Sequence, residues 1–133
     1  MLIDGNGAIF GRLASIVAKN LLNGEQTTVV NADNIIISGD PRVVKERFLA
    51  KLHRGSPLKG PFIHRYPDRL FSRAVRGMLP NNARGRDALK RLRVHRKCPE
   101  EFKNLEKIGK NREDLKAKYI TLANLSKELG AKA

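Results

Sequence analysis

Between Arg12 and Leu22 the apolar residues Leu13, Ile16, Val17 and Leu21 recur at helical spacing, so this stretch predicts a helix with one buried face. Asn23-Gly24 supplies its C-terminal stop. Ahead of it, Met1–Gly7 reads as a short strand entering a glycine turn. Behind it, Gln26–Ala32 (QTTVVNA) is β-branched and predicts a strand, and the apolar run Ile35-Ile36-Ile37 fits a buried strand or the continuation of that one. Asp40-Pro41 pairs an N-cap with a first-turn proline and opens a helix carrying Val44, Phe48 and Leu52, which ends near Arg54-Gly55. Residues 55–67 contain Pro57, Pro61 and Pro67 with two glycines, and predict a long irregular loop.

Asp68 is placed to cap the next helix, where Leu70, Phe71, Ala74, Val75 and Met78 form the apolar stripe. Arg69, Arg73 and Arg76 fall on its other face. Leu79-Pro80-Asn81-Asn82 breaks the pattern. Arg86–Leu92 predicts a short basic helix, Arg93–Arg96 an extended segment, and Pro99–Ile108 a helix with Phe102, Leu105 and Ile108 in register. Lys118–Leu122 reads as a late strand, and residues 122–129 as a last helix behind Thr121, closed by Gly130. Strands alternating with helices predict one α/β domain over residues 1–133, with mainly parallel pairing.

Composition narrows the class. No apolar run approaches the roughly 20 residues of a membrane helix, and Cys98 is the single cysteine, so a soluble intracellular protein without disulfides is expected. Charge changes the picture more. The chain carries a net +14, which points to a polyanionic partner. Residues 42–97 hold seventeen Lys/Arg against three Asp/Glu and account for the whole imbalance. Twelve of those seventeen are arginine, whose planar fork suits phosphates and stacks on bases.

The stretch GNGAIFGRLAS (5–15) raises a nucleotide reading that the spacing serves poorly. A P-loop needs Gly at both ends of a six-residue span followed by Lys-Ser/Thr, and Phe10 or Arg12 occupies the second position. The dinucleotide pattern fits Gly5 and Gly7 but finds Gly11 one residue late, although Asp33 stands where a ribose-binding acid would. A small nucleotide-dependent enzyme using the Gly5–Gly11 turn is the alternative function. Otherwise Gly5 and Gly7 form a tight turn and Gly11 allows close packing of the helix start. His95-x-x-Cys98 lacks the second ligand pair of a zinc site, and no catalytic grouping is visible, so no cofactor, metal or small-molecule substrate is expected.

Nucleic acid fits best. Phe62 and Tyr66 stand in the basic loop as candidates for stacking on unpaired bases, whereas Phe48 and Phe71 lie in apolar stripes. The candidate RNA contacts are Arg12, then Lys51, His53, Arg54, Lys59, His64 and Arg65 around the loop. Arg69, Arg73 and Arg76 follow on the amphipathic helix, then Arg84, Arg86, Lys90, Arg93 and Arg96 beyond it. Folded RNA recognised by shape and backbone is the expected partner.

The segments FGRLAS (10–15), HRG (53–55) and RAVRGMLPNN (73–82), with Gly85-Arg86 through Leu92 and Val94, resemble the large-subunit ribosomal protein L-thirteen family. The ending KYITLANLSKELG is similar to its archaeal form. The resemblance runs over nearly the whole chain. It implies a three-layer α/β/α fold around a small, mostly parallel sheet, and a structural role binding large-subunit rRNA during assembly. It also implies neighbouring large-subunit proteins as partners, a place in the cytoplasmic ribosome, and no enzymatic activity.

Overall fold

A computed structural model describes residues 1–56, 58–107 and 115–131. In chain order the elements are β1 (Leu2–Asp4), α1 (Phe10–Leu22), β2 (Thr27–Val30), a 3-10 turn (Ala32–Asn34) and β3 (Ile36–Ser38). They continue through α2 (Pro41–Leu52), α3 (Pro67–Met78), α4 (Ala83–Lys90), β4 (Leu92–Val94), β5 (Tyr119–Thr121) and α5 (Leu122–Glu128).

The α/β architecture with a small, mostly parallel sheet is present, with its strands divided between two sheets. β1, β2 and β4 pair in parallel with β2 in the centre. The central position explains why Thr27, Val29 and Val30 are all buried, for a strand covered on both faces loses the in–out alternation. β3 and β5 form a separate antiparallel pair. The two sheets meet where Ala8–Ile9 runs beside Ile36, whose N–H donates to the Ala8 carbonyl over 2.9 Å.

Helix α1 buries Leu13, Ala14, Val17, Ala18 and Leu21. It packs on α3, where Phe10 meets the fully buried Phe71 edge-on with centroids 5.9 Å apart. At its C-terminus the Leu21 carbonyl accepts from the Gly24 N–H at 3.1 Å and also from Arg91 Nη1 at 2.9 Å, which ties the helix end to the β4 region. Asp40 caps α2 by accepting from the Arg42 N–H, Asn82 caps α4, and Thr121 caps α5.

Several boundaries differ from the sequence reading. α1 starts at Phe10, before Arg12, and α4 at Ala83, before Arg86. Tyr66 rather than Asp68 is the N-cap of α3, because Pro67 takes the first helical position, where its missing N–H costs nothing. Asp68 lies in the first turn. Met78 is 46% exposed, and Leu79 after it is buried instead.

Pro99–Ile108 is not a helix over its described part, residues 99–107 (Ile108 lies outside them). Asn104 takes φ 62°, which ends any right-handed helix there. The free edge of β1 then captures the chain: Asp4 N–H donates to the Glu106 carbonyl and Glu106 N–H to the Leu2 carbonyl. Phe102 packs against His95 at 5.5 Å rather than on a helix stripe.

Phe71 joins α1 and α3, so Phe71→Ala should cost about 3–5 kcal/mol through the cavity it leaves. Chemical denaturation, read as a fall in midpoint at unchanged slope, checks this; a loss below about 1 kcal/mol refutes the packing account.

Candidate nucleic-acid interface

The glycine turn after β1 has no N–H groups to offer a phosphate. Gly5 donates to Val30 O (2.8 Å), Gly7 to Asn34 O (3.0 Å) and Ala8 to Gly5 O (3.1 Å). The Asn6 N–H is held by Asp4 Oδ1 at 3.0 Å. Gly5 is required by close approach, since a Cβ there would stand 2.8 Å from the Val30 carbonyl oxygen. Gly11 is different: nothing lies within 4 Å of where its Cβ would be, so the expected close packing at the helix start is absent. Asp33, the would-be ribose ligand, is bound to Arg96 Nε at 3.0 Å. Asp33 and the N–H groups of residues 5–8 are therefore held inside the fold.

The basic segment folds differently. In α3 the buried Leu70, Phe71 and Val75 turn Arg69, Arg73 and Arg76 outward, and all three are exposed. A band of four adjoining clefts runs past them. The first is lined by His53, Arg54, Arg65 and Phe62. Phe62 is shared with a second that includes Lys51, His64 and Arg73. His64 and Arg73 pass into a third with Arg69, Ser72 and Arg76. Arg73 and Arg76 then join Arg86 and Asn81 in a fourth, of about 370 Å³, between α3 and α4.

Among the described residues the salt bridges are Lys45–Glu128, Lys90–Asp87 and Arg96–Asp33. The band's arginines thus carry no carboxylate partner among those residues. Like charges at i, i+4 destabilise a helix by about 0.2–0.5 kcal/mol a pair, a cost that a polyanion removes.

Not every candidate belongs to the band. Arg12 on α1, Lys59 in the loop and Arg84 on α4 are exposed but line none of the four clefts. Lys90 stands 3.9 Å from Asp87, and Arg93 folds back onto the Lys90 and Leu92 carbonyls. Tyr66 is 39% exposed, with the Arg96 guanidinium 5.8 Å from its ring centroid. Arg96 is placed apart from the band: half-buried, it is paired with Asp33 and set over Tyr66, and so braces the fold. The cause is that His95-Arg96 continues β4 alongside β2, with the Ala32 and Asp33 N–H groups donating to their carbonyls.

Sequence reasoning missed Ser72, Asn81, Phe10 and Phe48 as cleft residues. Ser72 could have been found, since it falls between Arg69 and Arg76 on their face. Phe48 packs against the core, as its stripe predicts, while its half-buried ring also lines the second cleft.

The model of the family described as ribosomal protein L13 matches residues 1–101. The chain belongs to that family. Its similarity to archaeal members extends further. It is 48% identical to the large ribosomal subunit protein uL13 of Archaeoglobus fulgidus, over 97% of this chain and 86% of that protein. It is 46% identical to that of Methanopyrus kandleri, again over 97% and 86%. Identity to that of Aeropyrum pernix is 45%, over 99% and 90%. This family membership agrees with a charge map obtained from residue types alone. Among the described residues, no helix is long and apolar enough to cross a membrane.

Two variants separate the band from the brace. Arg73→Ala with Arg76→Ala should leave the melting temperature nearly unchanged, because exposed charges contribute little to stability. It should weaken RNA binding and flatten the plot of log affinity against log salt by about 0.9 for each duplex phosphate that is no longer neutralised. Arg96→Ala should cost about 1 kcal/mol of stability by unpairing Asp33. A thermal melt and an RNA titration at several salt concentrations decide both; a large fall in melting temperature for the double variant places the α3 arginines in the fold instead.

Proposed function

We propose that this chain is a structural constituent of the large ribosomal subunit whose arginine band grips large-subunit rRNA during assembly and in the finished particle. One observation carries the reading: a member of the L13 family holds Arg54, Arg65, Arg69, Arg73, Arg76 and Arg86 exposed along adjoining clefts, without carboxylate partners among the described residues. Guanidinium groups so placed accept phosphates at no cost of breaking internal ion pairs. Aromatic and polar groups between them, Phe62, Ser72 and Asn81, add contacts to bases and sugars.

The site acts as a surface for shape and backbone recognition. Residues 1–133 act as one rRNA-binding domain in the cytoplasmic ribosome, beside neighbouring large-subunit proteins. The similar proteins named above are large-subunit components, and the family is not one of enzymes.

Tagged chain should sediment with large-subunit particles through a sucrose gradient, and a free pool at the top would refute the assignment. Affinity for its rRNA should fall about 10³–10⁵-fold between 50 and 200 mM salt if about 6–10 phosphates are neutralised. A nearly flat salt response in a filter-binding titration would remove the electrostatic argument.

A further inference from the structure

Phe62 is 71% exposed, although a ring of its size ordinarily buries most of its surface. A Cβ on Gly60 would begin 3.1 Å from the Phe62 Cδ2, so the ring lies close against this glycine, whose φ of 82° favours the residue that has no Cβ. Phe62 forms one wall of a cleft of about 280 Å³ whose apolar lining comes also from Phe10, Phe48 and Leu70. Lys51 and Arg73 share that lining, and Lys51 Nζ stands 5.4 Å from the centroid of the Phe48 ring. Flat carbon surface and positive charge therefore occupy the same few ångströms.

Resting on the rRNA reading above, the geometry points to this cleft as the receptor for one unpaired nucleotide of the RNA, its base against Phe62 and its flanking phosphates on Lys51 and Arg73. Charge complementarity selects the occupant. An apolar protein side chain would fill the floor and leave two desolvated cations without partners. A nucleotide joins a flat apolar face to an anion through one sugar and satisfies both. The cleft also adjoins the arginine band through His64 and Arg73, so a strand following the band passes its mouth.

The test uses the full chain and a large-subunit rRNA transcript, titrated at several salt concentrations. Phe62→Ala should bind about 5–150-fold more weakly, the loss of one stacked base, with the salt slope of the wild type. Phe62→Trp should keep affinity within about twofold, because any flat ring serves. Both should melt with the wild type, since the side chain is exposed. Ultraviolet crosslinking should join an unpaired nucleotide to the peptide containing Phe62.

Wild-type affinity in Phe62→Ala overturns the proposal, as does a loss accompanied by a flattened salt slope, which would mean displaced cations. A Phe62→Ala chain that binds the transcript normally but fails to enter particles overturns it in favour of a protein neighbour. A wild-type chain without affinity for the transcript refutes the rRNA reading itself and this proposal with it. Unimpaired wild-type binding with an indifferent Phe62 refutes this proposal alone.

Discussion

One hydrogen-bonded seam organises this molecule: the parallel course of Met1–Ile9 beside Thr28–Ile36. It begins with the Thr28 N–H on the Met1 carbonyl, continues through β1 and β2, and passes by Gly5 and Gly7 to the Ile36 N–H on Ala8. The seam joins the two sheets and fixes where α1 starts. The position of α1 in turn sets Phe10 against Phe71, and so the rotation of α3. The direction in which the arginines face follows from a β pairing that involves none of them. This is why the opening glycines matter: any side chain at Gly5 would push the seam apart at the Val30 carbonyl.

Helix α3 carries two loads that do not compete. Its inward residues meet α1, and its outward residues meet solvent in a line of positive charge. The break at Leu79-Pro80 then turns the chain into α4, which brings Arg86 to the far end of the same line. Buried apolar residues set the geometry. The Leu21 carbonyl at the end of α1 and the Ala32 N–H beyond β2 find their partners in the β4 region. Arg91 and Arg96 belong to this internal work, whereas the arginines of α3 do not.

The elements legible from sequence are those with strong local rules. The Asp40-Pro41 start of α2, the Thr121 cap of α5 and the stripe of α3 follow from capping chemistry and helical period. The sequence reading fails where tertiary partners override local preference. Residues 99–107 have a helix-like apolar spacing, but the open edge of β1 offers backbone partners that the spacing cannot reveal. The candidate site is legible as a charge-rich interval because residue type alone marks it. Which cations are spent internally is not legible, since Arg96 and Asp33 lie 63 residues apart and look unrelated until β4 is laid along β2.

The absence of carboxylate partners along the α3 band among the described residues also has a thermodynamic corollary. A ligand that binds only the folded chain stabilises it by mass action, and a polyanion seated on the band would also relieve repulsion the free chain must bear. Under the proposed function folding and assembly would thereby be coupled, the chain in its particle being the more stable form. Under the proposed function, a copy without RNA would therefore open more often to proteolysis than one seated in the particle.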